Sequence, residues 1–219
     1  MYKVIITGAT GMVGEGVLHE CLNSPLISEV LIINRRASGC SNPKLKEIIH
    51  GDFHDLAPVA DQLKGYDACF FCLGVSSVGM KKELYRKMTY DLTMHFAQTV
   101  SSLNPSMVFC YVSGAGTDNT EKGWLAWARV KGKVENELMR LPFKSVYNFR
   151  PAMIEPTPGL SNAISIYKTF SWIVPFFNRF FPKSICRLEQ VGKAMINALA
   201  KGYSKHTLEV QDIKKLAVD

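Results

Sequence analysis

A glycine-rich turn near the start of the chain carries the clearest chemical signal in the sequence. It reads Thr7-Gly8-Ala9-Thr10-Gly11-Met12-Val13-Gly14, between a strand-like apolar run and a stretch with helical periodicity. Gly8 permits a tight turn, Gly11 lets backbone N–H groups approach a pyrophosphate, and Gly14 allows close packing of helix on strand. The turn predicts a dinucleotide site, and a glycine-rich loop without a ligand is the alternative. The cofactor-binding residues expected here are Gly8, Thr10, Gly11, Met12, Val13 and Gly14.

The end of the second apolar run indicates which dinucleotide would bind. NAD-selective sites usually place an acidic residue there, and its carboxylate holds the ribose 2′-hydroxyl. This chain has Asn34-Arg35-Arg36 instead. A guanidinium pairs with a phosphate through a planar fork of donors, so the two arginines favour NADP, with NAD as the alternative cofactor. A solvated arginine pair in a loop is the other interpretation of these residues.

Six β-rich runs alternate with helical stretches and would position these side chains. The predicted strands are Lys3–Thr7, Val30–Asn34, Ile48–Gly51, Ala68–Leu73, Met107–Val112 and Ser145–Phe149, followed late in the chain by Thr207–Val210. The predicted helices are Val13–Cys21, about 58–64, 83–103, 124–140 and Leu188–Ala200. This alternation predicts an α/β fold with a Rossmann-type, doubly wound parallel sheet that helices cover on both faces.

Residues 151–185 depart from the alternation and form a small apolar appendage rich in Pro, Phe and Trp. We expect one domain, 1–219, with 151–185 as its substrate or lid segment. Apolar residues recur there at helical spacing, at Ile166, Phe170, Ile173, Val174, Phe177 and Phe181. If this face lines a pocket, it favours a small apolar or aromatic acceptor over a sugar. Flanking basic residues leave peripheral membrane contact, or a partner surface, as the alternative.

Composition and charge restrict the remaining classes of protein. The chain is 47% hydrophobic, too apolar for a disordered segment, and its formal net charge of +7 suits an anionic ligand. The basic residues are dispersed, so we expect no nucleic-acid binding, and no run is long and apolar enough for a transmembrane segment. The six cysteines and five histidines lack disulfide density and metal-ligand spacing, which predicts a cytoplasmic protein without a metal. Cys69 and Cys72 are predicted to pack in the core, and the chain is expected to be a monomer or a homodimer.

Further short motifs follow the predicted strands and helices: Gly51-Asp52-Phe53, Cys72-Leu73-Gly74, Val112-Ser113, Val130-Lys131-Gly132 and Arg150-Pro151. With them the chain resembles the atypical, short members of the short-chain dehydrogenase/reductase superfamily. It is most similar to the small Tat-interacting-protein-like oxidoreductases, which are NAD-dependent epimerase/dehydratase-like. The resemblance implies that Asp52 and Phe53 edge the adenine and that Cys72, Leu73 and Gly74 line the ribose side. It also implies that the segment from Pro151 to Ile154 lies beside the nicotinamide.

In that superfamily a Ser, a Tyr and a Lys four residues after the Tyr carry out the chemistry. The Ser holds the substrate carbonyl, the Tyr donates the proton, and the Lys binds the ribose and lowers the pKa of the Tyr. Ser113 and Lys131 match this pattern and are the expected catalytic residues, but Trp127 stands in the position of the Tyr. An indole N–H does not exchange a proton as a phenol does.

Three functions therefore stay open. The first is an NADP-dependent reductase whose proton comes from another group or from water. The second is a reductase of flavin, quinone or a similar conjugated acceptor, which needs a positioned phenol less. The third is a non-catalytic NADP-binding redox sensor or interaction module.

Overall fold

Seven parallel strands form the central sheet of the computed structural model, which describes residues 1–160 and 184–218. Two further strands, the seventh and eighth along the chain, pair in a small separate sheet. In chain order the strands are β1 (Tyr2–Thr7), β2 (Ile27–Asn34), β3 (Leu45–Ile49), β4 (Ala68–Phe71), β5 (Val108–Val112), β6 (Ser145–Arg150), β7 (Met153–Glu155), β8 (Ile185–Arg187) and β9 (Thr207–Glu209). Across the main sheet the order is β3-β2-β1-β4-β5-β6-β9. This confirms the predicted Rossmann-type parallel sheet.

The strand order reverses between β1 and β4, and this reversal fixes where a ligand can bind. Thr7 lies opposite Ile33 on one side and Phe71 on the other, so the loops after these three strands leave the sheet side by side. Open parallel sheets bind ligands outside the carboxyl ends of the strands at such a reversal. The turn at 7–14, Asn34-Arg35-Arg36 and Cys72-Leu73-Gly74 therefore share one edge.

Helices cover both faces of the sheet, which makes the fold doubly wound. They are α1 (Met12–Asn23), a 3-10 helix (Ala57–Leu63), α2 (Lys82–Arg86), α3 (Leu92–Leu103), α4 (Ala126–Leu138), α5 (Leu188–Lys201) and α6 (Val210–Leu216). α1, α5 and α6 contribute to one core cluster, whereas the 3-10 helix, α3 and α4 contribute to the other. Ile5 belongs to the second cluster and Ile6 to the first, as the alternation of side chains along a buried strand requires.

Some predicted boundaries were wrong where polar residues interrupt an apolar run. β3 begins at Leu45 instead of Ile48, because Lys46 and Glu47 are exposed at the sheet edge and break the pattern. β2 likewise begins before Val30, at Ile27. The helix predicted at about 58–64 is a 3-10 helix with a proline in its first turn.

The long helix predicted at 83–103 contains a π-helical turn, Lys87–Asp91, between α2 and α3. π-helical turns are rare in proteins, and many of those known lie at functional sites. Thr89 lies within this turn, is buried, and has a hydroxyl without a hydrogen-bond partner among the described residues. Sequence periodicity did not predict this turn, because one wider turn barely changes the spacing of apolar residues.

The appendage predicted at 151–185 begins and ends in paired structure. β7 and β8 are parallel, with Met153 opposite Ile185 and Glu155 opposite Arg187. β7, β8 and α6 were not predicted, because three residues of strand and seven of helix carry little periodicity. β9 is equally short, but it was predicted, as Thr207–Val210. The apolar face predicted from Ile166 to Phe181 lies outside the described residues. Among residues 1–160 and 184–218, no helix combines the length and the apolar character needed to span a bilayer.

Candidate functional site

The turn after β1 has the geometry of a phosphate cradle. Gly8 adopts a φ of +71°, and a Cβ there would lie 2.8 Å from backbone atoms of Leu73. A Cβ on Gly14 would lie 2.1 Å from the Gly8 carbonyl oxygen. Glycine at both positions is therefore required by the packing of the protein itself. Gly11 differs, because its backbone is extended and a Cβ there would meet only the Gly8 oxygen, at 3.4 Å.

Gly11 is also the N-cap residue of α1, at the helix end that faces the cradle. Its N–H donates to the Gly8 carbonyl at 2.9 Å, and Met12 and Val13 form the first turn of α1. Gly11 has no side chain that could cap the helix, so the N–H groups of the first turn and their partial positive charge can bind an anion. The cradle thus has the space and the donors that a pyrophosphate needs.

A cavity of about 360 Å³, including its open mouth, joins the cradle to the end of β2. Seven of its eight lining residues are among those predicted to bind a cofactor; the eighth, Ile33, was not predicted. The eight are Gly8, Thr10, Ile33, Asn34, Arg35, Arg36, Phe53 and Leu73. Asn34 is buried, whereas Arg35 and Arg36 are exposed and free to meet a ligand phosphate.

Glu47 fixes the loop that carries the two arginines, and it was missed in the sequence. Its Oε1 accepts hydrogen bonds from Asn34 Nδ2 at 3.0 Å and from the Ser38 backbone N–H at 2.8 Å. Partial burial opposes ionisation, but these bonds outweigh it and lower the pKa of Glu47. The carboxylate therefore ties both ends of the Arg35–Arg36 segment to β3. Its position 13 residues from Asn34 gives no local sequence signal.

The remaining predicted cofactor contacts lie at the same edge but do not line this cavity. Asp52 is exposed and accepts a hydrogen bond from the His54 backbone N–H, while its neighbour Phe53 faces the cavity. Cys72 follows β4 and its backbone N–H donates to Thr7. Burial raises the pKa of the Cys72 thiol. Cys69 packs in the core cluster on the opposite sheet face from Cys72, which confirms the prediction of core packing.

Ser113 follows β5 and is held by the neighbouring strand. Its backbone N–H donates to Phe149 at 2.8 Å, and its Oγ lies 3.0 Å from Thr117 Oγ1. Thr117 Oγ1 donates its single proton to the Gly114 carbonyl at 2.8 Å. Ser113 must therefore be the donor in its bond with Thr117, and its free lone pairs can only accept.

Lys131 on α4 lies beside Ser113, as the resemblance implied. Its Nζ donates to the Ser113 carbonyl at 3.0 Å and to the Val112 carbonyl at 3.5 Å. The ammonium also lies 5.7 Å from the centre of the Tyr111 ring. Burial lowers the pKa of Lys131 to about 8, against the opposing influence of the Glu135 charge. Burial thus brings the pKa of Lys131 closer to physiological pH.

Trp127 and Gly132 bring α4 against the loop that carries Ser113. The edge of the Trp127 indole lies 3.5 Å from the point where a Cβ on Gly116 would be. A Cβ on Gly132 would lie only 1.8 Å from the Asp118 carbonyl oxygen, so any side chain there would push the loop away. Trp127, four residues before Lys131, therefore packs against the Ser113 loop at Gly116.

A buried ion-pair network behind Lys131 was not predicted from the sequence. Arg150, at the end of β6, donates from Nε to Glu135 Oε1 at 3.0 Å and from Nη2 to Glu135 Oε2 at 2.5 Å. Asn119, from the Ser113 loop, donates to Glu135 at 2.9 Å and accepts from Arg150. The network joins α4, β6 and the loop after β5. The spacing of Glu135 four residues after Lys131 was its one visible signal.

Pro151 and Ile154 continue from this network. The Pro151 carbonyl accepts a hydrogen bond from the Ala115 backbone N–H at 3.0 Å, which holds the two loops together. Ile154 lies in β7 and packs against the core. Taken together, the cradle, the cavity and the Ser113–Lys131 pair can hold a dinucleotide, which supplies a hydride when bound.

The chain is similar to two groups of known eukaryotic proteins. It is 28% identical over 161 residues to "Protein fmp52, mitochondrial" of Emericella nidulans, covering 70% of this chain and 67% of that protein. It is 28% identical over 166 residues to "Protein HTATIP2" of Rattus norvegicus, covering 72% and 66%. The match thus spans about two thirds of the length of these relatives.

Solved structures share the fold at low sequence identity. A short chain dehydrogenase family protein from Francisella tularensis superposes with a TM-score of 0.70 at 14% identity, covering 95% of this chain and 96% of that one. The Bordetella bronchiseptica enzyme WbmF, solved in complex with NAD+, gives 0.69 at 12% identity, covering 99% and 76%. A family model described as the NAD dependent epimerase/dehydratase family matches residues 4–116, just over half of the chain. The chain therefore belongs to the NAD dependent epimerase/dehydratase family.

Proposed function

We propose that this protein binds NADP(H) and transfers a hydride to a small apolar or aromatic acceptor. One observation carries the cofactor assignment. Arg35 and Arg36 line the same cavity as the cradle residues Gly8 and Thr10, and Asn34 stands where an NAD-selective site has an acid. Two guanidiniums beside the ribose position suit a 2′-phosphate. NAD is the alternative, because the structurally similar WbmF enzyme binds NAD+ in its solved complex.

Each part of the site has a role in this proposal. The cradle and the N-terminus of α1 would hold the pyrophosphate, and the arginines would hold the 2′-phosphate. Lys131 would donate to the ribose next to the nicotinamide, and Ser113 would contact the acceptor. The apolar character of the acceptor rests on the composition of residues 151–185, where Phe and Ile are abundant and Glu155 is the one acidic residue.

Trp127 supports two other functions. A flavin, quinone or similar conjugated acceptor delocalises the incoming hydride and needs a phenol less, which would make the protein a flavin- or quinone-type reductase. A protein that binds NADP without turnover would act as a redox sensor or interaction module. The position of the indole against Gly116 motivates both alternatives.

The cofactor assignment is tested by titrating the protein with NADPH and NADH. Charge-assisted hydrogen bonds contribute roughly 1.5 to 3 kcal/mol, so we expect NADPH to bind about 10- to 150-fold tighter. The Arg35→Ala/Arg36→Ala double variant should lose this preference. A Lys81→Ala/Lys82→Ala double variant removes the same charge from exposed residues outside the cavity and should keep it. Equal affinities in the wild type, or a preference that survives without the arginines, would reject the assignment.

We propose a cytoplasmic location on the basis of six free cysteines, which suit a reducing compartment. The name of the fmp52 relative places that protein in mitochondria, so the mitochondrion is the alternative. Fractionation of the source cells, followed by immunoblotting, distinguishes the two.

A further inference from the structure

We propose that the Lys131 ammonium is the proton donor to the reduced acceptor, in place of the phenol that this chain lacks. The inference rests on the proposed reductase function. It follows from which groups around Ser113 hold a transferable proton and from how Arg150 isolates Lys131 from a counter-charge.

The other side chains near Ser113 are poor proton donors. Trp127 has only an indole N–H, and the Ser113 hydroxyl already donates to Thr117. Tyr111, whose ring faces Lys131, is fully buried, and burial raises its pKa. Tyr85 is buried next to Tyr111 and its pKa is raised by the same cause. Lys131 is the remaining acid beside Ser113 among these residues.

Lys131 has a proton available in the right place. An ammonium has three N–H donors, and the carbonyls of Ser113 and Val112 accept two of them. The third N–H has no acceptor among the described residues and is left for the acceptor molecule. The bond to Val112 is long, at 3.5 Å, so that N–H can turn to the ribose when the cofactor binds. The 3.0 Å bond to the Ser113 carbonyl also holds Nζ next to the residue expected to contact the acceptor.

Arg150 determines how readily Lys131 releases this proton. Glu135 lies one helical turn after Lys131, yet both of its carboxylate oxygens accept from Arg150, and Asn119 takes a further position. Among the described residues Lys131 makes no ion pair, so its charge is partly desolvated without a neutralising partner. A cation in that state gives up a proton more easily than a paired one.

The proposed step balances in electrons and protons. The acceptor receives two electrons as a hydride from the reduced cofactor, which becomes oxidised. A Lys131 N–H bond breaks, its electron pair stays on Nζ, and the proton forms a new bond to the acceptor heteroatom. Water then reprotonates the neutral amine before the next turnover.

The first experiment measures NADPH oxidation against pH, with aromatic aldehydes and quinones as acceptors. The wild-type kcat should fall about tenfold per pH unit above pH 8, as Lys131 loses its proton. Lys131→Arg keeps the charge but cannot release a proton, so kcat should fall by about 10² to 10⁴ while the NADPH affinity stays within about threefold. A variant that retains wild-type kcat, or a profile flat to pH 10, would overturn the donor role.

The second experiment does not depend on turnover. The Lys131 Cε signal is followed against pH by NMR in cofactor-free, ¹³C-labelled protein, with Lys131→Arg used for assignment. Glu135→Gln should lower the midpoint, whereas Arg150→Met should raise it, because Arg150 then no longer neutralises the Glu135 charge that favours the protonated Lys131. Arg150→Lys keeps the positive charge, so its midpoint should lie nearest to that of the wild type. This variant replaces Arg150→Met in the experiment if the Met variant unfolds. A wild-type midpoint above pH 10 would overturn the inference.

The two experiments separate this inference from the proposed function. If NADPH binds but no acceptor of any class is reduced, the reductase function and the donor role both fail. If acceptors are reduced and the Lys131→Arg variant reduces them equally well, only the donor role fails.

Discussion

Arg150 donates to both carboxylate oxygens of Glu135, and the Glu135 side chain is completely shielded from solvent (0% exposed). A buried ion pair of this kind adds little by itself, since desolvation of the two charges opposes their attraction. Removing only one of the two charged side chains lowers stability strongly, because the remaining charge stays buried without an opposite charge. The pair therefore holds β6 and α4 in a fixed relative position.

Loss of the Arg150–Glu135 pair should lower stability more than loss of the Arg150–Glu209 pair. Arg150→Met should lower the free energy of unfolding by about 3 to 5 kcal/mol, because it leaves the Glu135 carboxylate buried and unpaired. Glu209 accepts from the same guanidinium at 3.3 Å but is half exposed, so Glu209→Gln should cost less than about 1 kcal/mol. Urea unfolding of the two variants measures both values. Similar losses for both would show that the pair with Glu135 has no special role.

The cradle predicts different outcomes for two of its glycines. Gly11→Val should abolish NADPH binding and leave the protein folded, because the added side chain meets little protein but fills the pyrophosphate position. Gly14→Ala should destabilise the fold itself, since its Cβ would overlap the Gly8 carbonyl oxygen. Calorimetric titration and thermal unfolding of each variant separate the two effects. Normal NADPH binding by a folded Gly11→Val protein would place the cradle elsewhere.

Trp127 predicts a gain of activity on substitution. Trp127→Tyr adds a phenol on α4, four residues before Lys131. If the wild type has no general acid, NADPH-dependent reduction of aromatic aldehydes should rise by about 10² to 10⁴, and if Lys131 already donates the proton the rise should be smaller. Trp127→Phe removes the indole without adding a hydroxyl and is the matched control. Steady-state NADPH oxidation with carbonyl and flavin or quinone panels provides the measurement.

The same panels distinguish the three functions that the sequence leaves open. A flavin- or quinone-type reductase should already oxidise NADPH in the wild type, with little effect of either Trp127 variant. A binding module should bind NADPH without turnover in all three proteins. Strong wild-type activity on simple carbonyls that Ser113→Ala does not change would contradict the site assignment.

The lowered pKa of Lys131 predicts that the free energy of unfolding depends on pH. Its pKa is about 8 in the folded protein and 10.5 in the unfolded reference, so the unfolded state binds more protons between these values. The contribution of Lys131 to stability should therefore rise as pH increases from 8 to 10.5, by at most about 3 kcal/mol. The difference between wild type and Lys131→Met, measured by urea unfolding across this window, isolates the term. A constant difference would mean that Lys131 titrates normally.

The sequence was sufficient for features that depend on local chemistry. The period of the apolar runs predicted the parallel sheet, and the spacing of Gly8, Gly11 and Gly14 predicted the turn that β1 and α1 enclose. Asn34-Arg35-Arg36 was assigned to the ribose because NAD-selective sites usually carry an acidic residue at the end of the second strand. Each of these inferences uses the types and order of residues within one short stretch of the chain.

Features that depend on contacts between distant segments could not be predicted. In the sequence, Glu47 looks like an exposed acid and Asn34 like a polar residue at the end of a strand. Their hydrogen bond forms only when β2 and β3 pair. The Arg150–Glu135 pair and the contact of Gly132 with Asp118 arise only when α4 packs against the sheet and the β5 loop. The direction of the Ser113 hydrogen bond depends in turn on where Thr117 donates.

Because β7 pairs with β8, the length of the segment between them can change without disturbing the rest of the fold. β7 and β8 are parallel and only three residues long, so the chain leaves at Glu155 and re-enters at Ile185, roughly 8 Å away across neighbouring strands. Doubling the length of a flexible insertion costs only about 0.6 kcal/mol in closure entropy. Insertions and deletions between Glu155 and Ile185 should therefore leave the cradle and the Ser113–Lys131 pair in place.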